Sequence, residues 1–64
     1  MKSTYRFYIR PKLDYRSRVA PYEVAHWAYS IEGAKHHARK LNEELSHTEI
    51  WRIEEVSSGE TEYL

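Results

Sequence analysis

The period of the hydrophobic pattern changes once, at Ser30, and that change restricts the fold more than any other feature of the chain. Before it, "TYRFYIR" alternates, with Tyr5, Phe7 and Ile9 on one side and Thr4, Arg6, Tyr8 and Arg10 on the other. Alternation at period two in aromatic and β-branched residues predicts a strand. "YEVAHWAY" repeats the pattern, setting Tyr22, Val24, His26 and Ala28 against Glu23, Ala25, Trp27 and Tyr29. After Ser30 the apolar residues Ile31, Ala34, Ala38, Leu41 and Leu45 recur at helical spacing. A helix over 31–46 follows, with Ser30 able to cap it and Glu32 in the first turn, where the helix dipole favours an anion.

Pro11 ends the first strand, because proline cannot donate to a central ladder, and "PKLDYRSRVAP" reads as a basic, mobile loop. "TEIWRIEEV" places Ile50, Ile53 and Val56 at a spacing that a helix could also produce. Its density of Ile, Trp and Val favours a strand, and a sheet of two strands would be marginal in water. "SSGETEYL" lacks an apolar pattern and is expected to fray. The expected architecture is therefore α+β: a three-stranded antiparallel sheet, ββαβ in order 2-1-3, with one helix packed on one face. In that order the helix connects the second and third strands by a right-handed crossover while every adjacent pair stays antiparallel. Residues 1–56 form the single domain and 57–64 a flexible acidic tail.

A chain of 64 residues hides only about 60% of the surface its unfolded form would expose, so the core is thin. The absence of cysteine removes disulfides and Cys-based zinc sites and fits a reducing compartment, the cytoplasm. No apolar run approaches the roughly 20 residues needed to span a bilayer, and "MKSTYRFYIRPK" lacks the apolar stretch of a signal peptide. The net charge is zero but unevenly placed. Residues 1–20 hold Lys2, Arg6, Arg10, Lys12, Arg16 and Arg18 against Asp14 alone; residues 43–64 hold seven glutamates against Arg52 alone. The two regions either neutralise each other across the fold or form a dipolar surface that orients the protein on a charged partner.

Once the helix claims Tyr5, Phe7, Ile9, Val24 and Ala28, with Trp51 and Ile53 as the inward pair on the last strand, the reverse of the sheet is left bare. It would carry Arg6, Tyr8, Arg10, Ala25, Trp27, Tyr29, Ile50 and Arg52. Enrichment in Trp, Tyr and Arg matches the energetic anchors of interfaces better than a solvated sheet face. Arg6, Tyr8, Arg10, Trp27, Tyr29 and Arg52, with Arg16 and Arg18 of the basic loop, are thus the candidate partner-binding residues.

Chemistry is sparse. His36 and His37 are adjacent on the helix, diverge by about 100° and cannot chelate one ion together, so both read as surface residues. His26 reads as a satisfied, partly buried imidazole, and His47 sits near a helix C-terminus, where a cation is favoured. Ser30, His26 and Asp14 lack the glycine-flanked strand-to-helix elbow of a nucleophile, and neither Gly33 nor Gly59 belongs to a phosphate-binding loop. No catalytic residue, metal or cofactor is expected.

The passage "YEVAHWAYSIEGAKHHARKL" followed by "TEIWRIEE" resembles the small RNA polymerase inhibitor of T7-like coliphages. The likeness spans about residues 5–56 and rests on the opening "YEV", the passage "AYSIE", the alanines along the helix and the order of elements. It implies a phage protein in the host cytoplasm that binds bacterial RNA polymerase at a jaw-like surface and blocks promoter engagement. An arginine on the last strand would take part, and Arg52 is the matching position; the following strand position, basic in that family, is Glu54 here.

Two functions follow as expectations. The first is a non-enzymatic protein-binding module that occludes a host machine through the open face and basic loop. The second is a single-stranded nucleic-acid binder that stacks bases on the same rings, with Lys12, Arg16 and Arg18 on phosphates. The zero net charge and the acidic C-terminal region weigh against the second. A homodimer through the sheet face is a further expectation.

Overall fold

A computed structural model describes residues 1–64. Strand β1 spans Ser3–Pro11, β2 Tyr22–Ala28, helix α1 Ile31–Glu44, β3 Thr48–Glu55 and β4 Thr61–Tyr63; one 3-10 turn covers Leu13–Tyr15. The sheet runs β2-β1-β3-β4, with every neighbouring pair antiparallel. The α+β class, the single helix and the order 2-1-3 are as the periodicity predicts. The sheet has four strands rather than three, because residues 57–64 do not trail off as a flexible tail.

The fourth strand depends on one glycine. Gly59 adopts φ 78°, a left-handed conformation that side chains resist, and its N–H donates to the Glu55 carbonyl at 2.8 Å. That closes the turn, Glu55 N–H then bonds the Glu60 carbonyl at 2.8 Å, and "TEY" pairs with Arg52–Glu54. Lys35 of α1 reaches Glu62 at 3.5 Å, tying the helix side of β4 to the helix.

Helix α1 begins as its sequence dictates. The Ser30 hydroxyl accepts from the Gly33 N–H at 3.1 Å, and Glu32 occupies the first turn. Its small residues Ala34 and Ala38 are fully buried, which lets the helix approach the sheet closely. They meet Tyr5, Phe7, Ile9, Ile50 and Ile53, with Val24, Ala28, Ile31, Leu41 and Leu45 packed around the margin. The Tyr5 phenol lies in this core and donates to a Glu55 oxygen at 3.2 Å; burial, then that hydrogen bond, pushes its pKa up. Hydroxyls of Ser58, Ser3, Tyr5 and Ser57 hold the Glu55 carboxyl below its ordinary range.

Strand β3 departs from simple alternation. Tyr8 pairs with Arg52 but Ile9 pairs with Ile50, so Trp51 is an extra residue inserted against the Tyr8–Ile9 step. A bulge of this kind puts two consecutive side chains on one face. Trp51 and Arg52 therefore both point away from the helix, while Ile50 and Ile53, three apart, both enter the core. The expected inward Trp51 and outward Ile50 are exchanged.

The loop between β1 and β2 is anchored at its start rather than mobile throughout. Lys12 N–H bonds the His47 carbonyl at 2.9 Å, Lys12 Nζ reaches the Leu45 carbonyl at 3.2 Å, and the Tyr15 ring packs tilted against His47 at 4.1 Å. No helix is long and apolar enough to cross a membrane.

Candidate binding face

Because α1 covers one side of the sheet, the other carries the outward residues of four strands, and they organise into two groups. The central group is a lattice of rings and charges. Arg6 on β1 lies 3.5 Å from Glu23 of β2 and 3.5 Å from Glu54 of β3. The Tyr8 hydroxyl donates to Glu54 at 2.9 Å, the Arg52 guanidinium stacks on the Tyr8 ring at 4.4 Å, and Arg52 approaches Glu54 at 3.6 Å. Further along, Arg10 pairs with Glu49 at 2.8 Å and stacks on Trp51 at 5.1 Å, and Trp51 meets Tyr63 at 6.0 Å. The Arg52 Nε is buried with no hydrogen-bond partner.

The second group stands at a corner. Trp27, opposite Thr4 near the end of β2, and Tyr29 just beyond it are each 72% exposed. Lys2 Nζ lies 5.7 Å from both rings, within cation–π range. Thr4 precedes Tyr8 by two outward positions on β1, so about 13 Å of strand separates this corner from Tyr8. Trp27, Tyr29, Tyr8 and Arg52 thus share one face in two clusters, with Arg6 and Glu54 between them.

Of the residues singled out from the sequence, Arg6, Tyr8, Arg10, Trp27, Tyr29 and Arg52 all reach this side. Arg16 and Arg18 stay exposed on the loop between β1 and β2 and pair with no acidic group. The sequence reading missed Trp51 and Tyr63, which enlarge the aromatic surface. The spacing of three between Ile50 and Ile53 was the available signal for Trp51, since a strand can bury both only through a bulge. Pairs from Arg6 to Glu54 and from Arg10 to Glu49 show N-terminal basic residues neutralised by C-terminal acidic ones across the β1–β3 ladder, while Arg16 and Arg18 remain unneutralised.

On the helix side, the His26 ring stacks on Phe7 at 4.6 Å, and His37, which like His36 is exposed, leans toward β2 and approaches His26 at 4.9 Å. No group of three or more His, Cys, Asp or Glu side chains is placed to hold a metal ion. Burial, reinforced by His37, lowers the pKa of His26. A base with a lowered folded pKa binds fewer protons than the unfolded chain does, whose histidine titrates near 6.5, so stability should decline as pH falls below that value. The urea midpoint is expected to drop between pH 7.5 and 5. His26→Gln should start lower, through lost stacking on Phe7, but fall less steeply; an equal slope in both proteins would contradict this role.

Comparison of the chain with protein-family models, with curated proteins and with solved structures finds no match.

Proposed function

We propose that this chain is a small non-enzymatic protein-binding module that engages its partner through the open sheet face. The observation that carries this reading is the exposure of Trp27 and Tyr29 beside Lys2, at the edge of a face that already holds Tyr8, Trp51, Tyr63 and three arginines. Large rings held rigidly by a sheet lose little entropy on contact, which makes them efficient anchors. In its narrower form, the reading is a phage-encoded inhibitor of a host machine such as bacterial RNA polymerase, acting by steric and electrostatic occlusion. The resemblance in the strand-turn-helix passage supports it, as does Arg52, which lies on the open face. Glu54 gives that face a different charge from the family's, since its carboxylate sits among Arg6, Tyr8 and Arg52.

Stacking of single-stranded nucleic acid on the same rings is the competing reading. Three carboxylates weigh against it: Glu23, Glu49 and Glu54 stand on the face among the rings and neutralise Arg6 and Arg10, which leaves the phosphates to the loop cations Lys12, Arg16 and Arg18. Titration against purified bacterial RNA polymerase and against a single-stranded oligonucleotide separates the two. Saturable binding to polymerase, without steeply salt-dependent oligonucleotide binding, is the expected result; the reverse would overturn it. Arg16→Glu with Arg18→Glu should slow association with polymerase at low salt and flatten its salt dependence, at unchanged melting temperature. Unaltered association rates would remove the loop from the interface.

A further inference from the structure

A sheet edge exposes a row of unpaired N–H and C=O groups, and chains usually cover or blunt it. This one does so with care on one side. β4 pairs with β3 from Arg52 to Glu54, Leu64 N–H continues the ladder to the Trp51 carbonyl at 3.1 Å, and the Asn42 side chain from α1 bonds both backbone groups of Ile50, at 3.0 and 2.8 Å. The far edge, β2, receives nothing comparable. All seven of its residues pair with β1 on the inner side without a register shift, and no loop, cap or side-chain hydrogen bond reaches Tyr22–Ala28 from the outer side. Nor is β2 blunted. It holds no Lys, no Pro and no bulge, and its one charged residue, Glu23, faces Arg6 of the neighbouring strand.

We propose that β2 pairs antiparallel with β2 of a second copy of this chain, about a two-fold axis at Ala25, joining the two molecules into one continuous sheet. Ala25 is the middle residue of Tyr22–Ala28, so this register alone pairs the strand along its whole length. Ala25 meets Ala25 at the axis, Val24 meets His26 on the helix side, and Glu23 comes opposite Trp27 on the open side. Lys2 lies over that tryptophan. The carboxylate of each copy therefore reaches the ammonium of the other, twice by symmetry, and like charges never stand opposite one another. Shifting the axis to His26 would oppose two imidazoles, set Glu23 against Tyr29 beyond the end of the strand and leave Tyr22 and Glu23 outside the paired length of β2. The pairing rests on the fold and does not depend on which macromolecule the open face binds.

Sedimentation of the full chain from micromolar to millimolar concentration reads this out. A monomer–dimer equilibrium, with the heavier species at twice the 7.7 kDa chain mass, is expected. Ala25→Glu should lower the association constant roughly tenfold or more, because it sets two carboxylates face to face on the axis. Arg6, directly across the β1–β2 ladder, can pair with the new carboxylate, so the melting temperature of the dilute protein should hold. Glu23→Lys should also weaken the dimer, and Lys2→Glu added to it should restore association, which tests the register without touching the axis. A wild-type chain monomeric at millimolar concentration would overturn the proposal, as would a dimer indifferent to Ala25→Glu, a charge exchange that fails to rescue, or growth beyond two copies.

Discussion

Ala38→Asp should leave the chain unfolded at 25 °C. Ala38 is fully buried where α1 crosses the sheet, among Tyr5, Phe7, Ile9, Ile50 and Ile53, and no cation belongs to that cluster. A carboxylate there must stay ionised without a partner, take up a proton, or force the helix away from the strands. Each route costs several kcal/mol, about 3 or more. A domain of this length has roughly 3–10 kcal/mol in total. The neighbouring Arg39 is exposed, so Arg39→Asp provides the control: a carboxylate one residue along, even with a larger change in net charge, should leave the circular-dichroism melt close to that of the wild type. A cooperative, unshifted melt for Ala38→Asp would mean that the helix packs through some other face.

The helix stripe was legible because α-helical and strand periodicities differ sharply, and the chain switches between them at a residue that also caps. Ser30, Ala34 and Ala38 each do in the structure what their positions imply. Strand β1 was legible for the same reason: Tyr5, Phe7 and Ile9 are buried and flanked by exposed or half-exposed neighbours. Strict alternation failed on β3, where Trp51 is an inserted residue and the burial pattern skips from Ile50 to Ile53. A bulge carries no composition of its own, and only the spacing of those two isoleucines hinted at it.

β4 was hidden for a different reason. "TEY" is too short and too polar to show a pattern, and it becomes a strand because Gly59 turns the chain back onto the edge of β3. The approach of His37 to His26 depends on the angle at which α1 crosses β2, a property of tertiary packing that residue spacing along the helix does not encode. For the open face, the sequence identified its members but not their grouping. The register, with Trp27 opposite Thr4 and Tyr8 between Glu23 and Arg52, divides it into a neutralised centre and an exposed aromatic corner.

That division makes Trp27 the residue with the largest expected effect on binding and one of the smallest on folding. The ring is 72% exposed, with the Lys2 ammonium 5.7 Å from its centre. Truncation removes little buried area, so the stability change should stay within about 0.5 kcal/mol. An anchor of this type, once covered by a partner, typically costs 2 kcal/mol or more when cut to alanine, roughly a thirtyfold loss of affinity. Arg52, by contrast, stacks on Tyr8 and pairs with Glu54 within the protein itself, so its replacement would disturb the face as well as any contact it makes.

The most direct measurement is therefore made on Trp27→Ala, with melting temperature and Kd for purified bacterial RNA polymerase determined on the same preparation as the wild type. A melting temperature within a few degrees of the wild type, together with an affinity reduced by roughly thirtyfold or more, is the predicted result. A collapse in melting temperature would contradict the account by making Trp27 part of the core, and an unchanged affinity would contradict it by removing the aromatic corner from the binding surface.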